Sequence, residues 1–362
     1  MFFYRIAGLT LCSPFELPSY SAFSCAPADA DVTLERTDQR PEPGEDRPSG
    51  QLVHRRLEDG WFFHCGDPER HGLYVSGDYT RLRLLDDGAE PASRISEWLI
   101  RIALECLLAR RGFVSLHAAA VEAEDGAYAF TGPSGIGKST RANAWAQALD
   151  ATLISGDRPL IDVRNMMLYG VPWDGKEKCF QNRRSPLRAI LEVRRSGSVY
   201  IRALSASQRR KLLMRQCFLP MWDTETAAVQ MANIARLAAG AEMVRIFGGP
   251  SGEDASALLE ALRRRQILRE EADMKVKSGF VLRSVVDEHL VMPTGDNIGV
   301  FRGSLLLNDV AALVWEKLSS PVSRDDLLRA ILDEYDVEES AAAADLDALL
   351  RQLREYDVIE DD

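Results

Sequence analysis

Gly132-Pro133-Ser134-Gly135-Ile136-Gly137-Lys138-Ser139-Thr140 satisfies the pattern G-x-x-x-x-G-K-[ST] in full. Glycines in such a loop let backbone N–H groups turn inward around an anion, and a helix opening at the loop adds its positive N-terminal end. In this pattern Lys138 reaches the β- and γ-phosphates of a nucleoside triphosphate as a point charge, and the Ser139 hydroxyl ligates Mg²⁺. Residues Gly132 to Thr140 are therefore expected to hold ATP and Mg²⁺. The flanks fit: Leu116–Ala123 and Ala127–Thr131 read as strands joined around Asp125-Gly126, a favoured hairpin turn. Beyond the loop, Ala142, Trp145, Ala146 and Leu149 recur at helical spacing. An antiparallel hairpin, rather than a parallel crossover, leads into the loop.

Working outward, Ala151–Ser155 reads as a strand ending at Gly156-Asp157-Arg158, where Asp157 can serve a metal or a proton. His117 stands at the start of the hairpin. Ser205 and Gln208 have capping-box spacing ahead of a basic helix through Gln216, and a helix over Glu225–Ala239 is expected to end at a C-cap glycine, Gly240. N-terminal to the hairpin, residues 1–92 read as β-rich, with alternating runs at Trp61–His64 and Tyr79–Leu85 and a Pro/Gly-rich loop over Thr37–Gly50. A helix follows at about Ser93–Arg111, with Ile95, Leu99, Ile102 and Cys106 in one stripe.

Leu116-His117-Ala118, the hairpin, TGPSGIGKST and ISGDRPL together resemble the HPr kinase/phosphorylase family. The resemblance runs from about Arg94 to Ile246 and takes in Pro172-Trp173-x-Gly175 and Ser185-Pro186-Leu187. It implies a Ser/Thr kinase using ATP and Mg²⁺, with His117 positioning phosphate and Asp157 filling one place of an aspartate pair. The other place is Gly156 here. Asp157 then does both jobs, or Asp162 or Asp174 supplies the base, or the chain binds nucleotide without chemistry. Arg183 and Arg184, in QNRRSPL, are the arginines nearest a family-like segment, and Arg184 is carried forward as the cation at the migrating phosphoryl group.

Charge is unevenly placed along a chain whose net is −11. From Met274 onward there are 9 Lys/Arg against 19 Asp/Glu, whereas Arg183–Arg215 holds ten basic residues opposed only by Glu192. The acidic tail argues against nucleic acid, and the basic stretch suits phosphates or an acidic peptide. No apolar run is long enough for a membrane helix, and no secretory signal is legible at the start. Six cysteines lack metal or CxxC spacing, which suits reduced thiols and a cytoplasmic setting. The dense charges of Arg263–Asp273 read as a linker. Beyond them Phe280–Val285, His289–Met292 and Gly299–Leu306 read as strands, and helices begin near Asn308, Ser323 and Glu339, the last carrying Leu346, Leu349, Leu350 and Leu353.

The tail resembles the peptide chaperone PqqD and related recognition elements of ribosomal-peptide maturation. It has an Arg after the first apolar strand residues, a short hairpin, Leu306-Leu307-Asn308 opening a helix that contains Trp315, and a closing Tyr356-Asp357-Val358-Ile359. The resemblance implies that a precursor's leader peptide adds as a strand beside Gly299–Leu306 and the face around Leu346–Leu353. The expected fold is multidomain, α/β and α+β: a β-rich region (1–92), an HPr-kinase-like P-loop domain with a mixed sheet (93–268), and a winged-helix-type PqqD-like module of three strands and three helices (274–362). The expected activity is ATP-dependent phosphorylation of a Ser or Thr in a leader-bound precursor peptide. An ATP-gated peptide chaperone and a small-molecule kinase are the rivals. Oligomeric state, a homo-oligomer included, is open.

Overall fold

The computed structural model describes residues 1–41, 44–68, 70–86, 93–173, 179, 181–264, 274–285, 288–299, 301 and 304–361. They fall into two compact units, Met1–Leu268 and Arg269–Asp362. No helix among the described residues is long and apolar enough to cross a membrane.

The first unit opens with an eight-stranded sheet of β1 (Phe2–Ile6), β2 (Leu9–Ser13), β3 (Val32–Arg36), β4 (Arg47–Ser49), β5 (Leu52–Leu57), β6 (Gly60–His64), β7 (Gly72–Ser76) and β8 (Arg81–Leu85). Their order is β1-β2-β3-β8-β7-β6-β5-β4. Period-two alternation decides which face is buried: Leu82 and Leu84 of β8 point inward while Arg81 and Arg83 stay exposed. Against the inner face lies helix α1 (Arg94–Arg110), started by Ser93, whose Oγ accepts the Ser96 N–H at 3.1 Å. Leu99, Ile102 and Cys106 enter the shared core with Leu11, Leu34 and Phe63, whereas Ile95 of the expected stripe is exposed. Within the expected loop Thr37–Gly50, Arg47–Ser49 is an edge strand; Pro48 is tolerated there because an edge position need not donate to a ladder.

The second sheet has nine strands: β9 (Phe113–Ser115), β10 (Ala118–Ala123), β11 (Gly126–Thr131), β12 (Thr152–Ser155), β13 (Leu160–Asp162), β14 (Met167–Tyr169), β15 (Arg184–Arg195), β16 (Tyr200–Ala203) and β17 (Met243–Gly248). The β10–β11 hairpin closes between Ala123 and Gly126, so Glu124-Asp125 form the turn, one residue earlier than the sequence suggests. Small residues let helices approach both faces. Ala118 and Ala120 face a cluster with Leu213 and Ile234, while Ala119 and Val121 face one with Trp145 and Leu258. The first face is covered by α3 (Ala206–Gln216) and α4 (Thr224–Gly240), the second by α2 (Lys138–Ala148) and α5 (Gly252–Arg263). Trp145 is 1% exposed and packs on Tyr128 and Phe130, so it clamps α2 to the sheet; truncating such a side chain costs about 3–5 kcal/mol.

Strand β15 organises this sheet. Leu187–Glu192 run parallel to β11, Ile190–Arg195 parallel to β17, and Arg184–Pro186 antiparallel to β14. The capping box of α3 forms as expected: Ser205 Oγ accepts from Gln208 N at 3.0 Å, and Gln208 Oε1 accepts from Ser205 N at 3.3 Å. Gly240 is different. It is the last residue of α4 and has no positive φ; a Cβ there would lie 2.5 Å from the Met166 methyl, so close packing explains it, not a left-handed cap.

In the second unit, β18 (Met274–Val276) pairs with β22 (Ile359–Asp361), and β19 (Phe280–Val285), β20 (Glu288–Pro293) and β21 (Leu305–Leu307) form a three-stranded sheet. The expected third strand Gly299–Leu306 is thus short, and Gly295–Gly299 is a 3-10 turn. Helices α6 (Asp309–Lys317), α7 (Arg324–Glu334) and α8 (Glu339–Glu355) are capped by Asn308, Ser323 and Glu338. Their apolar stripes meet Met274, Val291 and Ile359 in a core confined to this unit. The three-helix expectation stands; the sheet count of three omits the β18–β22 pair.

Candidate functional site

The 132–140 segment leaves the C-terminal end of β11 and enters α2. Gly132, Gly135 and Gly137 take φ of +144°, +79° and +102°, conformations a side chain would strain. Lys138 folds back, its Nζ donating to the Gly132 and Pro133 carbonyl oxygens at 3.1 Å each. Arg195, at the end of β15, donates through Nη2 to the Gly135 oxygen at 3.0 Å. Behind the loop, buried Arg141 of α2 donates to the Arg194 oxygen at 2.9 Å and to the Gly248 oxygen, tying the helix to the ends of β15 and β17. Buried Arg245 and Glu192 pair at 2.8 Å across the same two strands.

Beside the loop, the chain around His117 is held at both backbone groups. Its N–H donates to the Gln216 oxygen at 2.8 Å, and its carbonyl accepts from Thr131 Oγ1 at 2.9 Å. The 155–159 turn is pinned alongside: Ser155 Oγ donates to the Asp157 oxygen at 2.9 Å, Leu116 N to the Pro159 oxygen at 3.2 Å, and Trp173 Nε1 to the Arg158 oxygen at 3.2 Å. Arg158 takes φ +52°, uncommon for a side-chain-bearing residue. These anchors bring His117 Nε2 to 3.9 Å from Asp157 Oδ1, too long for a hydrogen bond.

Electrostatics tie the cluster to the loop. Burial pushes the His117 imidazole below its ordinary value and the Lys138 charge reinforces this, while Asp157 and the Gln216 side chain oppose it. Burial likewise lowers Lys138, with Asp157 opposing and Arg158 adding to the shift. Lys138, His117, Asp157 and Arg158 therefore share one field. Arg158, Arg195 and Gln216 were not singled out from sequence; only the adjacency of Arg158 to Asp157 signalled any of them.

Other expected positions fall elsewhere. Arg184 opens β15 opposite Tyr169, whereas the loop root Thr131 pairs with Glu192, about 25 Å further along the strand. Arg183 is paired with Glu122 at 2.8 Å, near the turn end of the hairpin. Asp162 accepts from the Arg164 N–H at 3.0 Å and from Asn165 Nδ2 at 2.8 Å. Burial alone would raise its carboxyl, but these bonds hold it below the ordinary range, so it braces the β13–β14 turn. Asp174 and Gly175 lie outside the described residues. No three His, Cys, Asp or Glu side chains among the described residues converge as a metal cage, and none of the six cysteines is joined in a disulfide.

In the second unit the outer edge of β21 carries no partner among the described strands, and Leu306 on it is 65% exposed. A cleft of about 500 Å³ lies between the helices, lined by Val310, Ile331, Tyr335, Leu346 and Leu349 among others. It shares the Leu346 and Leu349 face expected of a groove and extends it toward α7.

Residues 288–359 match the coenzyme PQQ synthesis protein D (PqqD) family, so the second unit carries a PqqD domain. Two solved structures are similar to about a quarter of the chain. "TbiB1 in Complex with the TbiA(beta) Leader Peptide" is 22% identical, covering 24% of this chain and 94% of the other, with a TM-score of 0.21. "Lasso peptide synthetase B1 complexed with the leader peptide" is 24% identical, covering 25% and 99%, with a TM-score of 0.22. No curated protein matches the chain.

Proposed function

We propose that this protein binds Mg²⁺ and ATP at the 132–140 loop and phosphorylates a Ser or Thr hydroxyl of a ribosomally made precursor peptide whose leader is held by the PqqD domain. The convergence of His117, Lys138, Asp157 and Arg158 at the mouth of a glycine-rich loop carries the reading. Three glycines at positive φ and a lysine hydrogen-bonded to loop carbonyls suit a polyphosphate, which would draw that ammonium outward. Mg²⁺ supplies Lewis-acid neutralisation of phosphate charge. Ser139 and Asp157 are its ligands from this chain. Asp157 also takes the acceptor's proton, since Asp162 is committed to its own turn. His117, whose imidazole is pushed below its ordinary value by burial, orients the phosphate, and Arg158 replaces Arg184 as the cation at the migrating group. Arg184→Ala should accordingly transfer phosphate within about twofold of the parent, whereas Arg158→Ala should lose about a hundredfold; steady-state turnover of the two reverses the assignment if the order is inverted.

The leader would lie along the open edge of β21 with an apolar side chain in the α6–α8 cleft. Because each unit has its own core, cutting after Asp273 leaves both cores complete. The shortened chain should hydrolyse ATP slowly and treat a leaderless peptide as the full chain does. It should process the full precursor with a KM raised at least about tenfold, because linkage supplies effective concentration. Peptides from neighbouring reading frames, assayed with γ-labelled ATP, provide the substrates; an unchanged KM would make residues 274–362 structural. Gly156 favours a second reading, an ATP-gated peptide chaperone, which the same assay separates by absence of transfer to any peptide.

A further inference from the structure

The arginine- and lysine-rich helix α3 has no role in the site as described, yet it ends on it. Its last residue, Gln216, takes the His117 N–H through its carbonyl, and its side chain bears on the His117 imidazole. Leu212 and Leu213 face the core, and Arg209 is spent on the Leu204 oxygen at 3.0 Å. Arg210, Lys211 and Arg215 are exposed and make no ion pair with any described residue. They lie in two adjacent i, i+4 rows, Arg210 with Met214 and Lys211 with Arg215, and Met214 is 41% exposed between them. The helix dipole accounts for a cation in the last turn, Arg215, but not for Arg210 and Lys211 in the middle. Elsewhere in the first unit arginines commonly find carboxylates, as Arg110 does with Asp223, Arg111 with Asp31 and Arg183 with Glu122. In a chain of net charge −11, three cations with no ion pair among the described residues, leading to one residue pair, mark a local attraction for negative charge.

We infer that α3 is the docking surface for the acceptor segment of the peptide, and that this segment carries Asp or Glu on one side of the hydroxyl to be phosphorylated. The inference rests on the peptide-kinase reading and deepens it. Helix geometry sets the spacing. Lys211 and Arg210 lie about 7.5 and 9 Å along the axis from Gln216, and an extended peptide advances about 3.3 Å per residue. With the acceptor hydroxyl at His117 and Asp157, the acidic side chains fall about one to three residues away. Leader capture and acceptor docking thereby use surfaces of opposite sign, an acidic PqqD domain and a basic helix.

The test uses the full chain and fluorescein-labelled serine peptides bearing three Asp before the serine, three Asp after it, or Asn in the same places. One Asp peptide should bind about tenfold tighter than its Asn counterpart, as a few exposed ion pairs provide, and the gain should shrink as salt is raised. Replacing Arg210, Lys211 and Arg215 by Ala should erase that gain; Ala suits an exposed helix, and circular dichroism checks that it persists. Equal binding of Asp and Asn peptides, or a gain that survives the triple replacement, overturns the proposal. So does α3-dependent binding of a single-stranded oligonucleotide or of anionic vesicles in place of the peptides. Phosphoryl transfer is scored separately: a charge-dependent gain without transfer refutes the kinase reading while the docking surface stands.

Discussion

Lys138→Ala is expected to lower phosphoryl transfer by about a thousandfold or more with the fold intact. The Lys138 ammonium is half-buried, and among the described residues it donates only to the Gly132 and Pro133 carbonyls. Its loss therefore removes little that holds the first unit together. In the transition state the same ammonium would move to the oxygens between the β- and γ-phosphates, where charge is spread and water is scarce. Burial disfavours its charge and Arg158 adds to that while Asp157 opposes it, so a bound polyphosphate would favour the charged ammonium. Turnover with γ-labelled ATP, beside far-ultraviolet circular dichroism, reads both halves of the expectation. Undiminished transfer by a folded Lys138→Ala protein would remove the kinase mechanism.

Asp157→Asn should cost at least about a hundredfold in turnover, the usual scale for loss of a general base. The substitution keeps the shape and leaves the backbone anchor intact, since Ser155 Oγ bonds the Asp157 carbonyl and not its carboxylate. Asp162→Asn is the control with the opposite signature. It weakens bonds from Arg164 and Asn165, so stability should fall while turnover per folded molecule stays within about twofold. A dead Asp162→Asn beside a working Asp157→Asn would exchange their roles.

What could be read from the chain was local. The hairpin, the loop and α2 lie within about thirty residues, and the caps of α3, α6 and α7 at Ser205, Asn308 and Ser323 are three-residue signals. What escaped depends on pairing between distant segments. Arg184 was the expected cation because it adjoins the family-like Ser185-Pro186-Leu187; β15 instead turns its other end, Glu192 and Arg195, toward Thr131 and Gly135. Gln216 reaches His117 only because α3 ends against β10's first residues, a meeting no periodicity encodes. The β18–β22 pair joins the two ends of the second unit, and Gly240 answers to Met166 across the fold.

The core that α1 shares with the eight-stranded sheet bears on how chains of this kind recombine. Tyr4, Phe63 and Leu84 from the sheet, Leu104 and Leu108 from α1, and Phe113, Leu160 and Trp173 beyond it belong to one apolar cluster. A gene crossover near residue 92 would cut through that cluster and leave both products with raw hydrocarbon to hide. One in the stretch after α5 would cut none of the apolar clusters. Exchange of PqqD domains among such proteins should therefore leave its breakpoints after residue 264, and descendants should inherit the eight-stranded sheet and the glycine-rich loop as a single heirloom.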